Sequence, residues 1–311
     1  MPRSAVPAVK LLGAQLAIGA AAIFARYALT GAGPLAVSAL RLGIATAVVV
    51  GFAVPFTRIS RRREAAFVAA GVALAVHFGC WIASLAFTSV AASTLLVTTT
   101  PLWIALYDAA RTRRIPSASF IAALALALVG TATIVRAPAA TIVAAAPQAP
   151  FGDALALAGS LAIGAYLIIV RDAGARHDRP LATPQIVART YGWATLALVV
   201  VAFAAGDRAP VGNDGRAWGG ILAMALVSQT LGHTALNAAL RTFSPGVVAL
   251  TTLLEPVVAA LLARMLFGEA LTAATIAGGV TILCAVAIAL IDAQPITSRR
   301  LGARDVRARR R

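Results

Sequence analysis

The chain has 311 residues, of which 60% are hydrophobic and 12% charged, with a mean hydropathy of +0.87. That balance excludes an ordinary soluble domain, in which about a quarter of residues are charged. The formal net charge of +16 invites a nucleic-acid reading, but 26 of the 27 basic residues are arginine and their placement follows membrane insertion. No nucleic-acid partner is expected.

Ten apolar segments follow one another at roughly 8–28, 35–55, 66–86, 90–108, 118–136, 154–171, 186–205, 218–240, 246–266 and 271–291. Each is about 20 residues long, the length with which a helix crosses a hydrocarbon core of about 30 Å. Lipid offers no partner to open backbone groups, so these spans are predicted to be helices. Helices of a soluble core would show polar faces at helical spacing, and most of these segments have none. The first segment, preceded by Arg3 and Lys10, resembles a signal peptide. Its length and its repeat partner at 154–171 argue for an uncleaved span. Cys80 and Cys284 both fall mid-span and are expected as free thiols.

With the amino terminus inside, alternating spans place 20 basic residues on the inner side and five on the outer: Arg26, Arg136, Arg208, Arg216 and Arg264. That excess predicts a bacterial-type inner-membrane protein with both termini in the cytoplasm. The arginine-rich end, 292–311, is predicted to be a cytoplasmic tail near anionic headgroups.

The chain also repeats itself. Leu16-Ala17-Ile18-Gly19-Ala20, with Ile23 and Arg26, recurs as Leu161-Ala162-Ile163-Gly164-Ala165, with Ile168 and Arg171, so seven of eleven positions match. At an offset of 155, Ser89, Leu95, Pro101, Ala105, Leu106, Ile121 and Ala122 match Ser244, Leu250, Pro256, Ala260, Leu261, Ile276 and Ala277. Five spans per half force the second copy to enter the bilayer upside down. Inverted repeats of this kind characterise secondary transporters, which open alternately to either side of one central site. The halves are read as 8–136 and 154–291, joined by an external linker at 137–153.

The second half also carries Leu254-Glu255-Pro256-Val257, Phe267-Gly268-Glu269 and a last span with Gly278 and Gly279. With the ten spans, the repeat and the matched Pro101, this resembles the EamA family of the drug/metabolite transporter superfamily. The resemblance covers nearly the whole of 8–291. It implies an all-α integral membrane protein of ten transmembrane helices in two inverted five-helix EamA repeats, moving small metabolites, usually outward. It further implies a central cavity lined by spans 1, 3, 4, 6, 8 and 9. One departure is that Glu269 corresponds to Arg114, where the family often has another acid.

Polar groups inside spans are costly and face a cavity or a partner helix. In span 8, Gln229, His233 and Asn237 are four residues apart and share one face. They form either a substrate-binding wall or a set of hydrogen bonds between helices. His77 and Trp81 make a shorter stripe on span 3. Either histidine could pass a coupling proton, since histidine titrates near neutral pH. A plain hydrogen bond to a backbone carbonyl is the alternative for His77, and packing the alternative for Trp81. Glu255 is the single acid deep within a span and is expected to be protonated or paired with Arg41, Arg189 or a histidine. Pro101 and Pro256 loosen matched helices and are candidate gates. Thr98, in a Ser/Thr run before Pro101, and Gln15 and Tyr166 on spans 1 and 6 are further cavity candidates. Arg41 and Arg189 are read as a symmetric pair snorkelling to the interface.

No H-E-x-x-H, Walker A, G-x-S-x-G or C-x-x-C motif occurs. No enzyme activity, cofactor or metal is expected. The leading function is export of a small metabolite, an amino acid or related amphiphile, with protons as the candidate coupling ion. Alternatives are drug or toxic-compound efflux, or a membrane sensor or enzyme that does not translocate.

Overall fold

The computed structural model describes residues 5–52, 57–88, 90–135, 147–174, 180–210, 212, 214–267 and 271–292. Arg136, Arg176, Arg179, Gly268, Glu269, most of the linker and the basic tail lie outside the described residues. All regular structure among the described residues is helical. The first half comprises α1 (Ala5–Gly19), α2 (Ala21–Ala28), α3 (Pro34–Gly51), α4 (Arg61–Ser84), α5 (Val90–Val97), α6 (Thr100–Thr112) and α7 (Ala118–Val135). The second half comprises α8 (Ala149–Gly174), α9 (Thr183–Ala204), α10 (Gly215–Ala223), a π-helix (Met224–His233) and α11 (Thr234–Ala239). It ends with α12 (Pro245–Thr251), a 3-10 turn (Thr252–Leu254), α13 (Glu255–Phe267) and α14 (Ala273–Asp292).

Seven stretches are long and apolar enough to cross a membrane: Val6–Ala28, Pro34–Gly51, Arg61–Ser84, Ala149–Gly174, Thr183–Ala204, Pro245–Leu266 and Ala273–Asp292. Ala118–Ile134 is apolar but shorter. The two remaining predicted spans are not uninterrupted α-helices. Segment 90–108 breaks at Thr98-Thr99, and segment 218–240 passes through the π-helix.

Local chemistry explains the helix limits. Pro34, Pro184 and Pro245 sit in first turns, where a missing N–H costs nothing. The side chains of Ser60, Asp214 and Ser244 accept from backbone N–H groups of the helices they start. α3 is capped from a distance: Asp207 Oδ2 accepts from Leu35 N at 2.7 Å and Ala36 N at 3.3 Å. A Cβ at Gly33 would fall on the Asp207 carboxylate, so a larger residue there would displace the cap. α8 begins five residues earlier than the apolar run suggested. Asp153 there accepts from the Thr88 hydroxyl at 2.8 Å, and Gly152 lets the backbone close on Thr88.

Helix packing follows one scheme used twice. α4 lies along α8, and its repeat counterpart, the π-helix, lies along α1. α5 and α6 pack on α8 as α13 packs on α1. α3 pairs with its own counterpart α9, and α7 with α14. Each of these self-pairs shows matched contacts. A Cβ at Gly43 would meet Thr195 Cγ2 at 3.4 Å, and one at Gly192 would meet Thr46 Cγ2 at 3.8 Å. Both glycine-to-glycine and threonine-to-threonine steps span 149 positions. Asp207 caps the start of α3 from beyond the end of α9, so these two counterparts run antiparallel.

At the α7–α14 contact, a Cβ at Gly130 would lie 2.7 Å from Gly278 O, and one at Gly278 would lie 2.5 Å from Gly130 O. Backbones meet here because neither residue has a side chain. Gly130→Ala and Gly278→Ala should each destabilise the protein by about 1–3 kcal/mol through overpacking. Thermal unfolding in detergent reads this, and equal losses at the two positions are expected from their matched environments.

Candidate functional site

A small cavity opens where the two halves meet. Its walls come from six of the predicted spans, 1, 3, 4, 6, 8 and 9, in counterpart pairs. α1 gives Ile18 and α8 gives Ile163; α4 gives Phe78 and Trp81, against His233 and Leu236; Val97 and Thr100 face Thr252 and Glu255. Every pair but the first is 155 positions apart in sequence, and the first 145. Phe78 and His233, equivalent under that offset, touch each other edge to face with centroids 5.3 Å apart. Equivalent residues meet at an axis relating the halves, so the cavity straddles that axis.

Irregular backbone at the cavity has a chemical cause. Pro101 lacks the N–H that would bond Val97 O, and the Thr100 hydroxyl takes that carbonyl instead, at 2.9 Å. Thr98 and Thr99 likewise donate to Thr94 O, Leu95 O and Leu96 O. In the second half Pro256 frees Thr252 O, which accepts from Glu255 N and so tightens the chain into the 3-10 turn. Both prolines are buried behind the cavity wall and do not line it.

Five of the predicted site residues line the cavity: His77, Trp81, Thr98, His233 and Glu255. His77 Nδ1 lies 2.9 Å from Gly159 O, the plain carbonyl contact, and its ring stacks near Trp81. Gly159 permits this approach, and Gly232 does the same opposite Ala14 O. Glu255 faces the cavity with no ion pair or hydrogen bond among the described residues. It is within electrostatic range of Arg41. Arg189 is not its partner, being held by Glu64 at 3.2 Å and by Gln185 O and Thr57 O.

The other predicted residues stand outside the cavity lining. Gln15 donates to the Thr251 hydroxyl at 2.9 Å. Tyr166 donates to Asn237 Oδ1 at 2.8 Å, and Asn237 donates to His233 O. Gln229 accepts from Arg41 at 2.8 Å. The span-8 stripe is thus divided: His233 reaches the cavity while Gln229 and Asn237 bond to neighbouring helices.

Two readings are corrected here. Arg41 does not snorkel: it is 0% exposed, with its guanidinium 4.0 Å from the centre of the Phe78 ring. Nor is it equivalent to Arg189. The contacts of Gly43 and Gly192 set the counterpart of Arg41 at Thr190, one residue away and so about 100° around the helix. The sequence reading also missed Phe78, although the 155-residue offset pairs it with His233.

Apolar helices in two repeated halves around a shared cavity make this a multi-pass membrane protein of the transporter class. The chain belongs to the EamA-like transporter family, whose model matches residues 7–136 and again 150–291. That family, whose members are transporters, falls within the drug/metabolite transporter superfamily. One solved crystal structure, 18% identical, superposes with a TM-score of 0.74 over 96% of this chain and 99% of that chain, and so shares the fold. No curated protein matches the chain closely enough to count as a relative.

The Tyr166–Asn237 bond joins α8 to α11, so it should hold helices together and not substrate. A double-mutant cycle with Tyr166→Phe and Asn237→Leu should show a coupling of about 0.6 kcal/mol. Tyr166→Phe alone should leave transport nearly unchanged; its loss with normal folding would place the hydroxyl in the transport path.

Proposed function

We propose that the protein is an inner-membrane secondary transporter that exports a small metabolite, an amino acid or related amphiphile, by alternating access. In this reading the ten helical stretches each cross the bilayer, the two halves are inverted, and both termini are cytoplasmic. The observation that supports it best is the cavity itself, walled by counterpart residues of both halves and bounded by broken helices. An axis through such a site lets either half adopt the other's conformation, and the cavity then opens to the opposite side.

The walls suit an amphiphile. Ile18, Ile163, Leu167 and Trp81 offer apolar surface, while His77, His233, Thr98 and Glu255 supply a few polar groups. Glu255 is the acid positioned to exchange a proton with the cavity, whose wall also carries the two histidines. The largely apolar surface also suits efflux of a toxic hydrophobic compound. Growth-inhibition profiling of deletion and overproducing strains separates that second reading from metabolite export.

Proteoliposome flux with and without a pH gradient tests the transport reading. Glu255→Gln and His233→Ala should each abolish flux with normal expression and folding. Unchanged flux in both variants would remove these residues from the mechanism. Failure of any candidate metabolite to move through folded protein would sink the transport reading itself.

A further inference from the structure

Beside the cavity lies a buried cluster rich in hydrogen-bond donors that none of the described residues satisfies. Arg41 Nη2 donates to Gln229 Oε1 at 2.8 Å, but Arg41 Nε and Nη1 have no hydrogen-bond partner among the described residues and no contact with solvent. A guanidinium can only donate, so this bond fixes the Gln229 amide with its oxygen toward Arg41 and its nitrogen away. That Nε2 is buried and unpartnered too, as is Nδ1 of His233 one turn further along. A full positive charge with open N–H groups is costly to hold inside a membrane protein and marks a site waiting for an acceptor.

A single side chain separates the cluster from the cavity. The Phe78 ring covers the Arg41 guanidinium at 4.0 Å and forms part of the cavity wall, edge to face with His233. The Ser38 hydroxyl, bonded to Pro34 O at 2.8 Å, also lies 3.2 Å from Phe78 O, so its contact is with the backbone of Phe78 and not with the ring. Turning that ring would uncover Arg41, and with it the Gln229 amide that Arg41 holds, toward the cavity.

We propose that Arg41 and Gln229 form the subsite for a carboxylate group on the transported metabolite, with Phe78 as the flap that admits it. This rests on the transport reading above and narrows its substrate to small molecules carrying a carboxylate. The carboxylate oxygens accept from Arg41 and Gln229, and the remainder of the molecule lies against Ile18, Ile163 and Leu167. Thr190 stands at the counterpart position of Arg41, so only one half carries this subsite.

Thermal unfolding of the purified full-length protein in detergent tests it. The probes are free L-amino acids, short-chain fatty acids and 2-oxo acids, each beside its primary amide. At least one acid should raise the unfolding temperature while its amide does not. Arg41→Gln should weaken that acid's binding about tenfold or more, the usual scale for losing a charged hydrogen bond. Arg41→Lys, which keeps the charge, should weaken it less, and Phe78→Ala should preserve the preference for acid over amide. If Arg41→Gln fails to fold, Gln229→Leu should still cut acid binding severalfold. The subsite is overturned if acids and amides bind alike, if no acid binds, or if folded Arg41→Gln and Gln229→Leu bind acid normally. It is equally overturned if Glu255→Gln reproduces Arg41→Gln with no acid preference, since Arg41 would then be awaiting Glu255. An acid that binds selectively but is never carried in proteoliposomes defeats the transport reading and leaves the subsite standing. Flux confined to neutral or cationic compounds does the reverse.

Discussion

In hydrocarbon, a backbone N–H or C=O without a partner costs several kcal/mol, and this constraint organises the whole molecule. It makes the chain helical wherever it meets lipid. It also governs where the helices can deviate. Pro101 breaks its helix only because the Thr100 hydroxyl takes over Val97 O, and Pro256 does so only because Glu255 N shifts to Thr252 O. The π-helix widens the turn, and the Thr230 hydroxyl bonds back five residues to Ala225 O. All three irregular stretches contribute residues to the cavity wall, where backbone lies against protein and not lipid.

A duplicated frame supplies the second organising feature. Gly130 and Gly278, reciprocally placed 148 positions apart and not at the 155 that pairs Ile121 with Ile276 in sequence, let the backbones of α7 and α14 touch, and Thr46 and Thr195 approach within 3.5 Å. Such contacts cannot be changed on one side alone without disturbing the other. The two packed pairs, α3 with α9 and α7 with α14, therefore flank the six spans around the cavity. Three ion pairs among the described residues, Arg189–Glu64, Arg111–Asp172 and Arg171–Asp172, lie at one end. Arg63 donates to the carbonyls of Ala173 and Gly174 at the end of α8, while Glu64 holds Arg189 and accepts from Trp193. At the other end, Asp207 and Asp153 tie helix starts to the loops opposite.

Much of this was legible in the sequence because it depends on length, apolarity and repetition. The helical class, the two halves and the matched prolines follow from those alone, and His77, Trp81, Thr98, His233 and Glu255 are polar or aromatic exceptions in apolar runs. What sequence could not resolve is rotation about a helix axis. Gln229, His233 and Asn237 share a face, yet only His233 meets the cavity, because Arg41 and Tyr166 reach the other two first. Arg41 and Arg189 look equivalent by distance from their helix starts. A one-residue difference in register sends one to the centre and the other to the ion pairs at the end. The π-helix is equally invisible, since Met224–His233 carries no proline and no residue that demands the wider turn.

The frame repeats, but the chemistry does not. Arg41 has threonine as its counterpart, Glu255 has threonine, and His233 has phenylalanine. The π-helix stands opposite a regular α4. If the two halves exchange conformations during transport, these positions are the ones whose surroundings change most. A perfectly symmetric carrier would bind its substrate equally well in both orientations, and nothing in its structure would distinguish release from uptake. Placing a cation on one half and an acid on the other makes the two orientations inequivalent in energy. In the proposed alternating cycle, a bias in direction or coupling would enter through unrepeated residues such as Arg41, His77, His233 and Glu255, and the symmetric glycine contacts would supply only the motion.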